Sequence, residues 1–490
     1  MPSQVSAGVY SREIDLSLYA PSLSTTIFGI VGGARWGPMD EAYYIGSIPE
    51  YVDAFWEPTT QMGYAAWQYL RRGHNLQVVR VGDANAAQAS AVLVDSGDAN
   101  TLFIKGKYMG TRADGLTIKI LAGTNEGFKI QLFEDGFLLE QWDDVLKANQ
   151  ATALAGSKYL TLVEADAGNT NEPKVQDVTL SGGNDGLSTL TSGDYIGTIT
   201  GDTYSGLQVL SNPETIDLNI VAVPGVSEAA VINAGLSLCA ARADCLFLPD
   251  PPFGLTTNEV VAWHNGIAPY DDHQAFNSSY GSLNWSWHEV YDSYTDSKVW
   301  VAPSGITAGI YAYNDQVSEV WFAPAGLTRG KVVDSLRIEH SPSQGQRDLL
   351  QGNGNAVNPF VNFSQDGIVL WGQRTLQRAP TALDRVNVRR LLLQAEKIMA
   401  TVARQLVFEP TDPITWRRFE VLANSILGPI KSRRGFYDFR VICDESTNPA
   451  DVIDQNKMIG KLLVKPTKTA EVLQIDWVVL STGVEFTEFA

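Results

Sequence analysis

The sequence predicts a multidomain chain of α/β and α+β class: an α/β body, a β-rich peripheral insertion and a C-terminal α+β domain. With 490 residues, the chain exceeds the size at which one hydrophobic core keeps growing. Apolar strands alternate with helical segments over residues 25–81 and again over 218–248, as in α/β units. An amphipathic helix followed by short strands occupies residues 381–490 and predicts the α+β domain.

The first 25 residues predict an N-terminal arm. Apolar and polar residues alternate there in two short runs, and Pro21 ends the pattern. A strand of this kind needs a partner strand, from the core of its own chain or from a neighbour. The apolar positions are Val5, Val9, Ile14, Leu16 and Leu18.

Residues 26–83 predict the first part of the body. TTIFGIVGG (25–33) is an apolar strand closed by glycines, residues 49–70 are helical, and LQVVRV (76–81) is a second buried strand. Residues 84–180 are rich in Ala, Asn, Asp, Gly and Thr and predict the β-rich insertion. Its clearest element is a hairpin over residues 128–142, with Asp135-Gly136 as the two-residue turn.

Residues 181–380 predict the main α/β body. LNIVAV (218–223) and CLFL (245–248) are strands on either side of an Ala-rich helix, which indicates half of a doubly wound sheet. The glycines of LSGGNDGL (180–187) indicate a tight turn. A phosphate-binding loop is the alternative, but no Lys-Ser/Thr pair follows and no G-x-G-x-x-G pattern is present. We therefore expect no nucleotide or other cofactor.

Residues 381–490 predict the C-terminal domain. Apolar residues recur at i, i+3, i+4 and i+7 over residues 388–406, which indicates one long helix. A second helix is predicted over residues 415–427, ended by Gly428-Pro429. Strands are then expected at residues 439–443, 461–464 and 472–480.

Charge is distributed unevenly along the chain. The net charge is −19, yet residues 384–440 carry eleven basic and six acidic side chains, a net of +5. Such a basic zone predicts an anionic partner, and a solvated face balanced by acids elsewhere in the fold is the alternative. Nucleic acid is disfavoured because the chain is acidic overall and aromatic residues for base stacking are sparse in this zone.

The sequence predicts neither a catalytic nor a metal site. The histidines lack metal-ligand spacing, and Asp271-Asp272-His273 lies in a polar loop whose adjacent residues rarely converge on one ion. Ser304 has no recognisable base nearby, so a turn or a helix cap is its expected role. Three cysteines without a CxxC pair indicate buried free thiols. Tryptophans between residues 285 and 371 predict core or interface packing, with carbohydrate binding as the alternative.

Composition indicates an ordinary globular protein, with 44% apolar and 19% charged residues. No apolar run approaches the roughly 20 residues that cross a bilayer, so membrane insertion is not expected. The beginning of the sequence lacks the basic and apolar regions of a signal peptide. We therefore expect synthesis and folding in a cytoplasm.

Several separated blocks carry a family resemblance. In VAPSGITAGIYAYNDQVSEVWFAPAG (301–326), two Ala-Pro pairs bracket small residues, aromatic residues and Asp315. WGQRT (371–375) follows, and Gly8-Val9-Tyr10 with Glu13 precedes. In this order the blocks resemble contractile tail sheath proteins of bacteriophages and related contractile injection systems. The resemblance extends over residues 8–82 and 180–490.

The resemblance implies a structural subunit and no enzyme. Sheath subunits stack as hexameric rings in a helical sleeve around a tail tube, and contraction drives the tube through the target envelope for genome ejection. It implies a virion-tail location, assembly in the bacterial host cytoplasm, and a tail tube protein, baseplate and tail terminator proteins as partners. Residues 84–180 are then expected on the outer surface, and block 301–326 is expected to stiffen the body.

Two sets of interface residues follow from the resemblance. Terminal strands would complete the sheet of the C-terminal domain in neighbouring subunits, and the basic zone would face an acidic tube wall. The strand-exchange candidates are Val5, Val9, Ile14, Leu16, Leu18, Ile475, Trp477, Val479, Val484 and Phe486. The tube-contact candidates are Arg385, Arg389, Arg390, Lys397, Arg404, Lys431, Arg433 and Arg434.

Two other classes of protein remain as alternatives. A surface- or carbohydrate-binding adhesin would use the aromatic residues and the β-rich insertion, and it would form a discrete monomer or trimer. A hydrolase built on the α/β half-domain would need convergent polar groups in a pocket.

Overall fold

The computed structural model describes residues 26–166, 168–352 and 354–472. Its helices, numbered in chain order, are α1 Ile48–Phe55, α2 Gln61–Leu70, α3 Gln150–Ala153, α4 Ser192–Ile196, α5 Ala229–Arg242, α6 Thr257–His264, α7 Pro303–Val317, α8 Gly326–Arg329, α9 Gln344–Gln351, α10 Val386–Ala403, α11 Pro413–Ser432 and α12 Ala450–Asp454. Its strands are β1 Ile27–Gly33, β2 Ala42–Ile45, β3 Asn75–Val81, β4 Ser90–Val94, β5 Asn100–Gly106, β6 Thr117–Ala122, β7 Phe128–Glu134, β8 Phe137–Val145, β9 Leu160–Glu164, β10 Gln176–Thr179, β11 Ile199–Thr200, β12 Thr203–Tyr204, β13 Ile220–Ala222, β14 Leu246–Leu248, β15 Leu283–Trp285, β16 His288–Asp292, β17 Ser297–Val301, β18 Arg337–Ile338, β19 Val357–Phe363, β20 Gly367–Leu370, β21 Phe436–Ile442 and β22 Lys461–Pro466.

A five-stranded sheet forms the centre of the body, with strand order β14-β13-β1-β3-β2. The first four strands are parallel, and β2 is antiparallel at one edge. Phe28, Ile30 and Val31 of the middle strand β1 are fully buried, because a parallel sheet is covered on both faces. The four strands predicted from apolar runs are therefore confirmed, and they belong to one sheet.

Two helical layers cover this sheet. Phe28 and Ile30 face a core shared with α2 and α7, whereas Val31 faces a core shared with α5 and α6. This division follows from strand geometry, since successive side chains point to opposite faces. The body is therefore a three-layer α/β arrangement.

Helix α7, which fills most of block 301–326, is an interior helix. Eleven of its 15 residues are buried, and Pro303 at its first turn lacks the N–H that would be left unpaired there. It packs so closely on α2 that a Cβ at Gly305 would lie 2.4 Å from the Cα of Ala65. Small residues in this block therefore allow the two helices to meet.

The start of α7 is capped by a buried carboxylate. Asp250 accepts hydrogen bonds from the backbone N of Ser304 at 2.8 Å, from its Oγ at 2.6 Å, and from Gly225 N at 3.0 Å. Burial raises the pKa of Asp250 to about 6. Ser304 thus lies in the first turn of α7 and donates to Asp250, so it has a structural role, but the expectation that it is itself a turn residue or a helix cap is wrong, because Ala302 precedes the helix.

Residues 89–180 form a β-rich core, to which Trp36 of the body also contributes. It is built from the sheets β4-β5-β9 and β10-β6-β7-β8, with side chains such as Ile104, Ile118 and Ile130 fully buried between them. The predicted hairpin is present as β7 and β8, and Asp135 and Gly136 both have positive φ at its turn.

The C-terminal domain packs α10 and α11 against the antiparallel pair β21–β22. The first helix agrees with the prediction, but the expectation that Gly428-Pro429 ends the second helix is wrong, because α11 continues to Ser432. Leu427 and Ile430, on either side of Pro429, are both buried in the core. Burial of both side chains outweighs the hydrogen bond that proline cannot donate.

The described residues thus form a mixed α and β, multidomain chain, as the sequence predicts. Within the described ranges, no helix is both long and apolar enough to span a membrane.

Candidate functional site at the start of helix α10

The start of α10 brings together residues from both predicted motif blocks. Arg385 is the residue that precedes the helix, and Arg389 and Arg390 lie in its first two turns. Asp315 of block 301–326 pairs with Arg390, and the carbonyl oxygen of Gln373 in block 371–375 accepts a hydrogen bond from the N of Val386 at 2.8 Å. These contacts define the candidate site.

Arg390 forms a buried ion pair with Asp315. Its Nη1 and Nη2 donate to Oδ1 and Oδ2 of Asp315 at 3.0 and 2.5 Å, and the two side chains are 4% and 7% exposed. The guanidinium also lies 5.0 Å from the ring centroid of Tyr311. Two charges this deeply buried are tolerated only when their geometry and hydrogen bonding are good.

The same ion pair holds Thr26, the residue that follows the N-terminal arm. The Thr26 hydroxyl contacts the Asp315 carboxylate and lies 3.4 Å from Nη2 of Arg390. The Thr26 carbonyl oxygen accepts a hydrogen bond from the Tyr69 hydroxyl at 2.5 Å. Burial raises the pKa of Tyr69, which keeps this hydroxyl protonated as a donor.

Arg389 lies inside the fold beside this pair. Its guanidinium carbon is 3.7 Å from the ring centroid of Tyr280, and the residue is 5% exposed. Its Nε and Nη2 have no hydrogen-bond partner among the described residues. Stacking on an aromatic face therefore takes the place of an ion pair for this charge.

Arg385 forms a two-point ion pair with Glu471, close to the end of the described residues. Nε and Nη2 of Arg385 donate to Oε1 and Oε2 of Glu471 at 2.6 and 2.8 Å. Nε2 of Gln373 donates to Oγ1 of Thr469 at 2.6 Å and lies 3.2 Å from Oε1 of Glu471. The beginning of α10 therefore holds the chain just before residue 473.

The end of block 301–326 connects the body with the C-terminal domain. Trp321 packs in the core of the C-terminal domain, and its Nε1 donates to the carbonyl oxygen of Arg433 at 3.0 Å. Nδ2 of Asn387 donates to the Trp321 carbonyl oxygen at 3.1 Å. The block thus contributes to two hydrophobic cores, which goes beyond the stiffening of the body that its sequence suggests.

Comparison with protein families identifies this architecture. The family model described as the phage tail sheath protein central domain matches residues 197–376. The model described as the phage tail sheath C-terminal domain matches residues 378–479. This chain belongs to the phage tail sheath family.

Individual sheath proteins show how far the similarity extends. The tail sheath protein of Vibrio phage KVP40 is 34% identical over 307 residues, which cover 59% of this chain and 46% of that protein. The tail sheath protein of Enterobacteria phage T4 is 27% identical over 393 residues, which cover 77% of this chain and 56% of that protein. The chain therefore spans about half the length of the curated sheath proteins that it matches.

A solved sheath structure has the same fold. The crystal structure of a sheath tail protein from Listeria innocua aligns with a TM-score of 0.62 and 13% identity, over 91% of this chain and 96% of that one. At this level of identity the likeness concerns the fold alone.

The structure separates the eight basic residues into buried and surface groups. Arg389 and Arg390 are buried, so the prediction that they contact a tube is corrected: these two charges serve the interior of this sheath chain. Arg385, Lys397, Lys431 and Arg433 each have an acidic partner in the chain, and Arg404 lies 3.7 Å from Glu214. Arg434 is exposed and has no ionic partner in the described part of the chain. Several of these positive charges are thus balanced by acidic side chains of the same chain. This agrees with the alternative interpretation of the charge pattern, a solvated face balanced by acids elsewhere in the fold.

Other predicted residues fall elsewhere. His273 pairs with the adjacent Asp272 at 2.7 Å, and the described residues contain no group of three or more His, Cys, Asp or Glu that could hold a metal ion. All ten strand-exchange candidates lie outside the described residues. Sequence reasoning missed Thr26 and Glu471 as site residues. The motif blocks contain Gln373 and Asp315, but nothing local indicated their partners.

Proposed function

We propose that this chain is the structural subunit of a contractile tail sheath, which polymerises as stacked hexameric rings around the tail tube. Contraction of the sheath would drive the tube through the target cell envelope. The observation that carries the proposal is the match of two consecutive sheath domain models over residues 197–376 and 378–479. Partners would be the tail tube, baseplate and tail terminator proteins, with assembly in the bacterial host cytoplasm and a final location in the virion tail.

The open sheet of the C-terminal domain supports polymerisation by strand exchange. Strands β21 and β22 pair only with each other among the described residues, so both outer edges present unpaired backbone groups. Tyr437 and Leu463 of this pair are exposed. A two-stranded sheet is marginal by itself, and added strands from neighbouring subunits would satisfy its edges. The segments 1–25 and 473–490 would provide those strands.

The surface of the C-terminal domain supports a tube-facing role for a smaller basic group than the sequence suggested. After removal of the buried Arg389 and Arg390, the exposed cations of the predicted set include Arg404, Lys431, Arg433 and Arg434. Residues 84–180 would lie on the opposite, outer side of the sheath. The free energy for contraction would come from the difference between two packings of the same subunits, so no nucleotide is required.

The buried tryptophans do not favour the adhesin alternative. Trp285, Trp287 and Trp321 are each less than a tenth exposed, and therefore they pack in cores and are not available to a carbohydrate.

Deletion of residues 1–20 tests the proposal. The truncated chain should remain folded and soluble, because the described cores begin after residue 25, but it should form no long tubes. Negative-stain electron microscopy of the purified wild-type and truncated proteins measures this. Normal tubes from the truncated chain would exclude strand exchange through the arm, and a wild-type protein that remains a monomer or trimer at high concentration would exclude the sheath function.

A further inference from the structure

Both terminal segments leave the described fold at the same helix. Thr26 directly follows residues 1–25, and Glu471 lies two residues before the segment 473–490. Thr26 contacts Arg390, and Glu471 contacts Arg385. The two arginines are five positions apart at the start of α10, which corresponds to about 7.5 Å along a helix axis.

Thr26, which we call the N-terminal root, is held inside the body. Thr26 is 5% exposed and meets the Arg390–Asp315 pair, and β1 begins at the next residue. Strand β1 is bonded on both sides, to β13 and to β3. A load transmitted to Thr26 therefore reaches a central strand that is held by two ladders.

Residues 467–471, which we call the C-terminal root, are held near the surface. Strand β22 ends at Pro466, and among the described residues it is bonded only to β21. Beyond it, the N of Thr467 donates to the Gly435 carbonyl oxygen at 3.1 Å, and Thr469 and Glu471 are held by Gln373 and Arg385. Clefts of about 370 and 260 Å³ flank residues 466–471, so within the described part of the chain these polar contacts are the ones that hold the segment.

We infer that the start of α10 is a shared anchor for both terminal segments, in which Arg390 with Asp315 positions Thr26 and Arg385 with Gln373 positions Glu471. The inference rests on the proposed function, because it assigns these positioning residues to the strands that would link subunits. A load on residues 473–490 reaches Glu471 before it reaches the ladder of β22. The Arg385–Glu471 pair therefore protects a weak two-stranded sheet from being peeled open, and it transfers the load to the helix that also holds the N-terminal root.

Cleavage after Lys468 by a lysine-specific endoproteinase tests the C-terminal half of the anchor on the full chain in its unassembled state. Lys468 is exposed and lies between the contacts at Thr467 and Glu471. Arg385→Gln and Glu471→Gln should each accelerate cleavage about 5- to 30-fold, the factor expected from the loss of one charged contact. The charge-exchanged double variant Arg385→Glu/Glu471→Arg should restore slow cleavage. Arg418→Gln, which removes a half-exposed cation of the same domain, is the matched control.

Tube length tests the link between the roots and assembly. Arg385→Gln and Thr26→Val should each shorten the tubes seen by electron microscopy at temperatures where thermal unfolding shows that the body is still folded. Thr203→Val, at an exposed threonine, should not shorten them. Unchanged cleavage at Lys468, failure of the double variant to restore it, or full-length tubes from both anchor variants would overturn the anchor. If the wild-type chain forms no tubes, the proposed function fails, while the cleavage ratios still decide whether Arg385 and Glu471 hold the root.

Discussion

Replacing Asp315 with Asn should destabilise the body by about 3–5 kcal/mol, the cost of leaving one charge of a buried pair without its partner. The change keeps the size of the side chain but removes the negative charge that faces Arg390. Arg390 is 4% exposed and donates two hydrogen bonds to this carboxylate, and its distance of 5.0 Å from the Tyr311 ring offers only weak compensation. The expected loss of stability is large because the variant leaves the positive charge of Arg390 buried without a carboxylate partner.

Urea unfolding followed by tryptophan fluorescence, at protein concentrations below assembly, measures this loss. The matched control is Asp53→Asn, which removes the partner of Lys158 in a pair whose side chains are 61% and 49% exposed, and it should cost less than about 1 kcal/mol. The double variant Asp315→Leu/Arg390→Met should recover much of the loss, since it leaves no unpaired charge. If Asp315→Asn costs no more than Asp53→Asn, the ion pair does not stabilise the junction as the geometry indicates.

Three further outcomes are expected. Gly305→Ala should lower the free energy of unfolding by about 1–3 kcal/mol, measured by thermal unfolding, because its Cβ would overlap Ala65. Gly345→Ala, whose Cβ would have nothing within 4 Å, should not lower it, and equal effects would contradict the close α2–α7 contact. Burial lowers the pKa of His288 to about 3 from 6.5, so the unfolded chain binds more protons and the free energy of unfolding should fall as pH decreases from about 6.5 towards 3. His288→Gln should flatten this slope in urea unfolding, and an unchanged slope would remove His288 as the cause. Arg434→Glu should weaken co-sedimentation of the sheath chain with an acidic tube protein at low salt, and less so at high salt, because salt screens charges at a surface. Lys298→Glu, outside the C-terminal domain, should have no effect, and equal effects of the two changes would argue against a tube contact at Arg434.

Local patterns predicted several elements of the fold, but not α6 to α9 or β15 to β20. The apolar runs that became β1, β3, β13 and β14 needed no information beyond their own side chains and flanking glycines or prolines. The Asp135-Gly136 turn and the long helix α10 were equally readable, because turn chemistry and helical periodicity act within a few residues. Pro429 was misread because the signal for a helix end is local, whereas the burial of Leu427 and Ile430 depends on packing with distant segments.

The site was less predictable than the fold. The charge pattern identified Arg389 and Arg390 but placed them on a surface, since sequence does not show which side of an amphipathic helix start meets Tyr280 and Asp315. Arg385 and Glu471 are 86 positions apart, and Thr26 and Asp315 are 289 apart. No local periodicity connects residues at such separations.

By itself, the sequence determined the mixed α and β class of the fold, four strands of the central sheet, the hairpin at Asp135-Gly136 and the long helix α10. The blocks at 301–326 and 371–375 indicated the sheath family. Only the tertiary structure decided that Asp315 and Gln373 of these blocks hold residues beside the two terminal segments, and that two of the basic residues are interior. The physical reason is that helices, strands and turns depend on short-range geometry. A buried charge, in contrast, is stabilised by a partner that can lie far away in the sequence and that only folding brings close.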